Sequence, residues 1–272
     1  MSKLIEGLSV EGKTFNEYIN SKHNPIIYDD LSRNFYKHFK KFYKECKKGH
    51  IINKNPDIIL YDESRTIGLE FFEIDSSPIE RRNNNKQSSK TKDVLNQIHD
   101  EIQSSKKDTV KISKIPKKSL KSYIENYKYA FDKHIKNIDQ YKKNLKNIVK
   151  NNTTECGFVI HNTSFQPDSV YLEGKTKIVT PLNVSSIFNS LQNENRISYV
   201  FYLTKNNKQE LLIYFFVLDN TNLKRNVKNK IEFCDECDLI HRQAYAAGMR
   251  ASLKQKIVNL KYEVIKNETP KG

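Results

Sequence analysis

Apolar positions along the chain recur with two periods, one helical and one alternating, and together they predict interleaved helices and strands. Between residues 31 and 48, Leu31, Phe35, Phe39, Phe42 and Cys46 return every three or four positions. Lys37, Lys40, Lys41, Lys44, Lys47 and Lys48 fill the other faces, so the spacing predicts an amphipathic helix stopped by Gly49. Two strand-like runs follow, 57–61 and 66–74. The polar Asp62-Glu63-Ser64-Arg65 between them marks a hairpin. The longest stripe is Leu120, Ile124, Tyr127, Phe131, Ile135, Ile138, Tyr141, Leu145 and Ile148, with Ser119 placed to cap it. It predicts a single helix of about 30 residues, near 45 Å long. Strands are expected at 156–161, 198–204 and 211–218, the last two forming a hairpin across 205–210. Short helices are expected at 94–104 and 184–192, a short strand at 110–112, and a closing helix at 237–260. Residues 76–93 are polar and basic with little to bury, which suits a surface loop or an arm that orders on a partner. No repeat or linker divides the chain. The reading is a single α/β domain over 1–272, with a basic flexible insertion at 76–118.

Composition narrows the class. The 272 residues are 37% hydrophobic, enough to build a core. No apolar run approaches the roughly 20 residues of a spanning helix, so an integral membrane protein is not expected. The start shows no secretory signal, and four scattered cysteines (46, 156, 234 and 237) make no disulfide framework. A reducing cytoplasm is the expected setting. Lys and Arg number 47 against 32 Asp and Glu, a net charge of +15 that calls for a polyanionic partner, nucleic acid before an anionic membrane. The abundance of Lys and Asn also fits an AT-rich genome, so part of that charge is compositional. Arg81, Arg82, Lys86, Lys90 and Lys92 lie on the basic insertion; Lys111, Lys114, Lys117, Lys118 and Lys121 cluster just before and at the start of the long helix. Such an arm tracks phosphates, with affinity that falls as salt rises. Only 8 glycines are present, with no phosphate-cradling loop and no Gly-x-Ser-x-Gly elbow, which sets aside ATP-driven and acyl-transfer chemistry.

The stretch that carries chemistry is Asn55-Pro56-Asp57-Ile58-Ile59-Leu60 followed by Ile67-Gly68-Leu69-Glu70-Phe71-Phe72-Glu73-Ile74. One acid opens a strand, and a second sits inside the next, otherwise apolar, strand. A carboxylate buried there is costly unless a cation offsets it. Alternation puts Glu70, Phe72 and Ile74 on one face and Leu69, Phe71 and Glu73 on the other. Paired in a hairpin, Asp57 and Glu70 share an edge and suit one hard divalent cation, Mg²⁺ or Mn²⁺.

Pro56-Asp57, then twelve residues, then Glu70 within Ile67-Gly68-Leu69-Glu70, resembles the PD-(D/E)xK nuclease superfamily. The resemblance covers about residues 31–162. It implies a restriction-endonuclease-like αβββαβ core: a mixed central sheet flanked by helices, here carrying the basic insertion. It also implies Asp57 and Glu70 as metal ligands, with Glu45 on the preceding helix as a further catalytic acid. The family's lysine falls two residues after the glutamate, where this chain has Phe72. Lys90, Lys92 or a helix lysine would have to take its place; alternatively the fold persists without activity. The expected function is a Mg²⁺- or Mn²⁺-dependent DNA endonuclease, with restriction or phage defence as the implied role. The expected partner is double-stranded DNA, the nucleic-acid contacts being Arg81, Arg82, Lys86, Lys90, Lys92, Lys117, Lys118 and Lys121; a homodimer would let two sites cut two strands. The rivals are a nucleic-acid-binding or regulatory protein that has lost catalysis, and a protein-interaction domain with compositional lysines. Two smaller constellations stand apart. Cys234, Cys237 and His241 have zinc-ligand spacing but lack a local fourth ligand, which Cys156 or His161 would have to supply. His161 closes a strand, where it suits acid–base work, a phosphate contact or a structural role.

Overall fold

The computed structural model describes residues 4–75, 120–149, 153–163, 169–172, 175–178, 185–205 and 210–218. In chain order the elements are β1 (Leu4–Glu6), α1 (Val10–Ile19), α2 (Asp30–Glu45), β2 (Lys47–Ile51), β3 (Ile58–Tyr61) and β4 (Arg65–Ile74). Then come α3 (Leu120–Ile135), α4 (Ile138–Ile148), β5 (Thr153–Asn162), β6 (Ser169–Leu172), β7 (Lys175–Ile178), α5 (Ser185–Gln192), β8 (Tyr199–Lys205) and β9 (Leu211–Val217). Seven strands form one mixed sheet in the order β1-β2-β3-β4-β5-β8-β9. From β1 to β4 neighbours are antiparallel; β4, β5 and β8 are parallel, and β9 returns antiparallel. β6 and β7 make a separate two-stranded ribbon. The main chain of Ile26 covers the β9 edge through bonds with Ile213 and Phe215.

Helices cover both faces of the sheet. On one side Phe15, Tyr18, Tyr36, Phe39 and Tyr43 of α1 and α2 pack on Ile58, Leu60, Leu69, Val159 and Phe201. On the other, Tyr127, Phe131, Tyr141 and Leu145 of α3 and α4, with Ile187 and Phe188 of α5, pack on Ile59, Phe72, Phe158 and Ile160. A sheet buried on both faces explains why β4 and β8 read as nearly continuous apolar runs.

Three expectations need correction. The long stripe belongs to two helices: the Asn137 N–H bonds the carbonyl of His134, three residues back rather than four, and the carbonyl of Asn137 then accepts the first bond of α4 from Tyr141. An apolar stripe runs unbroken across such a joint. The helix after residue 30 ends at Cys46 rather than Gly49. Its buried side is Ser32, Tyr36, Phe39 and Tyr43, while Leu31 is 42% exposed. Asp29 sets that start, its carboxylate accepting from the Ser32 N–H at 2.8 Å and the Ser32 hydroxyl at 2.7 Å. Gly49 lies instead within β2, where an added Cβ would stand 2.7 Å from the carbonyl oxygen of Ile5. Among the described residues, no helix is long and apolar enough to cross a membrane. The expected elements at 94–104, 110–112 and 237–260 lie outside the described residues.

Candidate active site at the end of the central hairpin

The hairpin expected from the pattern forms, with Ile58 opposite Leu69 and Tyr61 opposite Thr66. Its turn is held by Asp62, whose Oδ1 accepts from the N–H groups of Ser64 and Arg65, each at 2.8 Å. One position beyond the Ile58–Leu69 pair, Asp57 comes level with Glu70. Asp57 Oδ2 accepts the Phe71 N–H at 2.9 Å, so the side chain takes up a main-chain donor where β3 ends. Burial and then the nearby Glu70 charge push the Asp57 carboxyl up to about 7, against the Phe71 hydrogen bond; Glu11 adds a further upward push.

Glu70 is 2% exposed and faces the α3–α4 layer. Its Oε1 lies 2.8 Å from His134 Nδ1 and accepts from the Tyr141 hydroxyl at 3.0 Å. The Tyr141 hydroxyl accepts in turn from the Asn55 amide at 3.4 Å, and Asn144 clamps the Asn55 carbonyl at 2.8 Å. The other carboxylate oxygen, Oε2, is buried without a hydrogen-bond partner. Native folds seldom leave a carboxylate oxygen in that state.

Gly68 makes this docking possible. It shares Glu70's face, and an added Cβ there would lie 2.6 Å from Leu145 Cδ1 and 2.7 Å from Pro56 Cγ. Leu145 stands one helical turn beyond Tyr141, so the missing side chain lets α4 bring Tyr141 onto Glu70. Gly68→Ala is therefore expected to cost about 1–3 kcal/mol of stability by overpacking. Urea unfolding checks it; an unchanged midpoint would mean that α4 is not held this closely.

Phe72, two residues after Glu70, is 6% exposed. Its ring stacks on His134 with centroids 4.8 Å apart and planes 7° apart, and it meets Phe158 edge-on. Glu45 is not brought to the carboxylate pair. It is exposed at the end of α2, on the opposite layer and beside the Lys47–Tyr61 end of the hairpin. The acid that the first helices do bring near Asp57 is Glu11, in the first turn of α1. Lys121 falls in the first turn of α3, while Arg81, Arg82, Lys86, Lys90, Lys92, Lys117 and Lys118 lie outside the described residues.

Sequence reasoning missed His134, Glu11 and Asn55, and took Tyr141 only as core. His134 did leave a signal, a polar residue three places after Phe131 and seven before Tyr141 on the apolar stripe. His161 occupies a separate place on the α1 side: Nε2 lies 3.3 Å from the Tyr18 hydroxyl, and Nδ1 stands 3.4 Å from Glu73, too poorly aligned for a hydrogen bond. Cys156 is buried and its thiol is pushed up to about 12 by burial; Cys234, Cys237 and His241 lie outside the described residues.

Among the described residues, no group of three or more His, Cys, Asp or Glu side chains is arranged to hold a metal ion. The Asp57–Glu70 pair still fits a hard cation of the Mg²⁺ type, which commonly takes one or two carboxylates and completes its shell with water and substrate phosphate. The unpartnered Glu70 Oε2 and the raised Asp57 carboxyl are what such a pair shows without a counter-charge. No family model, curated protein or solved structure matches the chain.

Proposed function

We propose that this protein is a metal-dependent endonuclease that hydrolyses DNA phosphodiester bonds on a restriction-endonuclease-like core. The observation that carries the reading is the Asp57–Glu70 pair, with one buried carboxylate oxygen lacking a partner and the other acid pushed up to about 7. The element order supports it. α2, then the antiparallel β2-β3-β4, then α3–α4, then β5 parallel to β4 is an order compatible with αβββαβ if the two helices count as one. Asp57 immediately precedes β3 and Glu70 lies within β4. Charge placement supports it as well. The chain leaves the sheet at the end of β4, where Asn126 of α3 bonds the Asp75 carbonyl at 2.9 Å, and the sequence that follows Asp75 is rich in Lys and Arg.

In this reading Asp57 and Glu70 hold Mg²⁺ or Mn²⁺, with Glu11 adding negative charge nearby. When bound, the cation neutralises the phosphodiester and lowers the pKa of the attacking water. Tyr141 and His134 orient Glu70 through Oε1 and leave Oε2 for the cation. His134, stacked on Phe72, is the basic side chain beside Glu70, and there it positions the carboxylate. A second reading, a nucleic-acid-binding protein without cutting, draws on the same Phe72, whose buried ring occupies the lysine position. Plasmid cleavage with Mg²⁺ or Mn²⁺ against an EDTA control separates the two. Metal-dependent nicking or linearisation is expected; salt-sensitive binding with no cutting on duplex or single strands favours the second. A homodimer is expected, and light scattering at the expected dimer mass checks it.

A further inference from the structure

Beside Glu70 the surface opens into a groove of about 350 Å³, at the small end of the range for ligand pockets. One wall is Asn53, Lys54 and Asn55, just before β3; the other is Asn137, which caps α4, with Gln140 and Asn144 along its first two turns. Tyr141 joins them and is the link to the carboxylates, since its hydroxyl bonds Glu70 Oε1 at 3.0 Å. The lining is five amides, one ammonium and one phenol, with neither a carboxylate nor an aliphatic side chain among them. A metal would find no anionic ligand there, while the ring and methylene surfaces of the lining leave room for a planar base between polar groups.

The amides are organised but not exhausted. Asn144 donates to the Asn55 carbonyl at 2.8 Å and accepts from the Gln140 amide at 2.8 Å, which ties the walls together. The Gln140 bond uses one N–H, leaving its carbonyl oxygen and a second N–H, a neighbouring acceptor and donor on one planar group. Asn53, in the left-handed region at φ 56°, presents another amide from the opposite wall. Side-by-side donor and acceptor atoms match the N6–N7 edge of adenine. Lys54 supplies one positive charge for a phosphate.

We propose that this groove is a nucleotide subsite that takes an unpaired adenine of the bound strand, with Gln140 reading the base and Lys54 holding its phosphate. The assignment rests on the nuclease reading for the kind of polymer and adds to it where that polymer is read. Gln140 and Lys54 are exposed, so their replacement leaves the core intact. The test is fluorescence anisotropy of labelled oligo-dA and oligo-dT with the full chain in EDTA, where no cutting intervenes. Wild type is expected to favour oligo-dA about fivefold or more. Gln140→Leu brings that ratio to one, while Lys54→Ala weakens both oligomers alike and lowers the salt slope by about one contact. Equal affinity of wild type for the two oligomers, or a preference that survives Gln140→Leu, overturns the subsite. Plasmid cutting measured on the same preparations separates the two claims. Cutting with a preference indifferent to Gln140 overturns the subsite alone. A Gln140-dependent preference without cutting upholds the subsite and overturns the nuclease.

Discussion

Glu70→Gln and Asp57→Asn are each expected to lower metal-dependent DNA cutting by about 10²–10³-fold, the scale on which losing one dominant charge-stabilising group acts. Both substitutions keep shape and an amide oxygen. In Glu70→Gln that oxygen still accepts from Tyr141, and in Asp57→Asn it still accepts the Phe71 N–H, so the fold has no reason to fail. What disappears is the negative charge that a cation needs. The loss belongs to the rate and not to capture of DNA: on the proposed reading, affinity measured in EDTA should stay within about twofold, since phosphate contacts from Lys and Arg, not the carboxylates, would supply the binding free energy. His134→Ala should act more mildly, about 10–100-fold, as expected of a group that orients a ligand from behind. Initial rates of supercoiled plasmid relaxation read all three. A Glu70→Gln enzyme that cuts at the wild-type rate removes the carboxylate pair from the chemistry.

The parts of this site visible in the chain were those written in a local pattern. Asp57 and Glu70 stand in consecutive apolar runs around a four-residue polar turn, and the register follows from the alternation. His134 and Tyr141 reach Glu70 only after α4 settles over Gly68, a contact between residues 64 and 71 positions apart that no periodicity encodes. The one-position error on α2 has a different source. Aromatic residues occupy adjacent stripes there, so Phe35 and Phe42 compete with Tyr36 and Tyr43, and a capping Asp29 with buried Ser32 decides the rotation. Glu45 follows from the resemblance alone, whereas α1, whose ten residues carry a weak stripe, sets Glu11 near Asp57 in its first turn. The strand β2, reading Lys-Lys-Gly-His-Ile, is polar because its place near the sheet edge is decided by pairing with β1 and β3.

Stability should depend on pH and on divalent cations through the same carboxyl. The folded-state value for Asp57, about 7, lies above its ordinary value of 3.8, so the fold holds this proton more tightly than the unfolded chain does. Stability linked to Asp57 is therefore complete below about pH 4 and is lost as pH rises through about 7. The loss is on the order of 4 kcal/mol. Asp57→Asn cannot lose a proton, so it should gain on wild type across that window and be the more stable protein at pH 8. A cation at the pair replaces the proton as counter-charge, and it should stabilise wild type at pH 8 far more than at pH 5.5, where the proton competes. At a hundredfold excess over its dissociation constant, Mn²⁺ would contribute about 2.7 kcal/mol. For a chain of this size that is a rise in Tm of roughly 5–10 °C. Thermal unfolding at the two pH values, with and without Mn²⁺, measures both effects without any substrate. A rise that persists in Asp57→Asn and Glu70→Gln would place the cation elsewhere, and no rise at pH 8 would mean that the pair binds none.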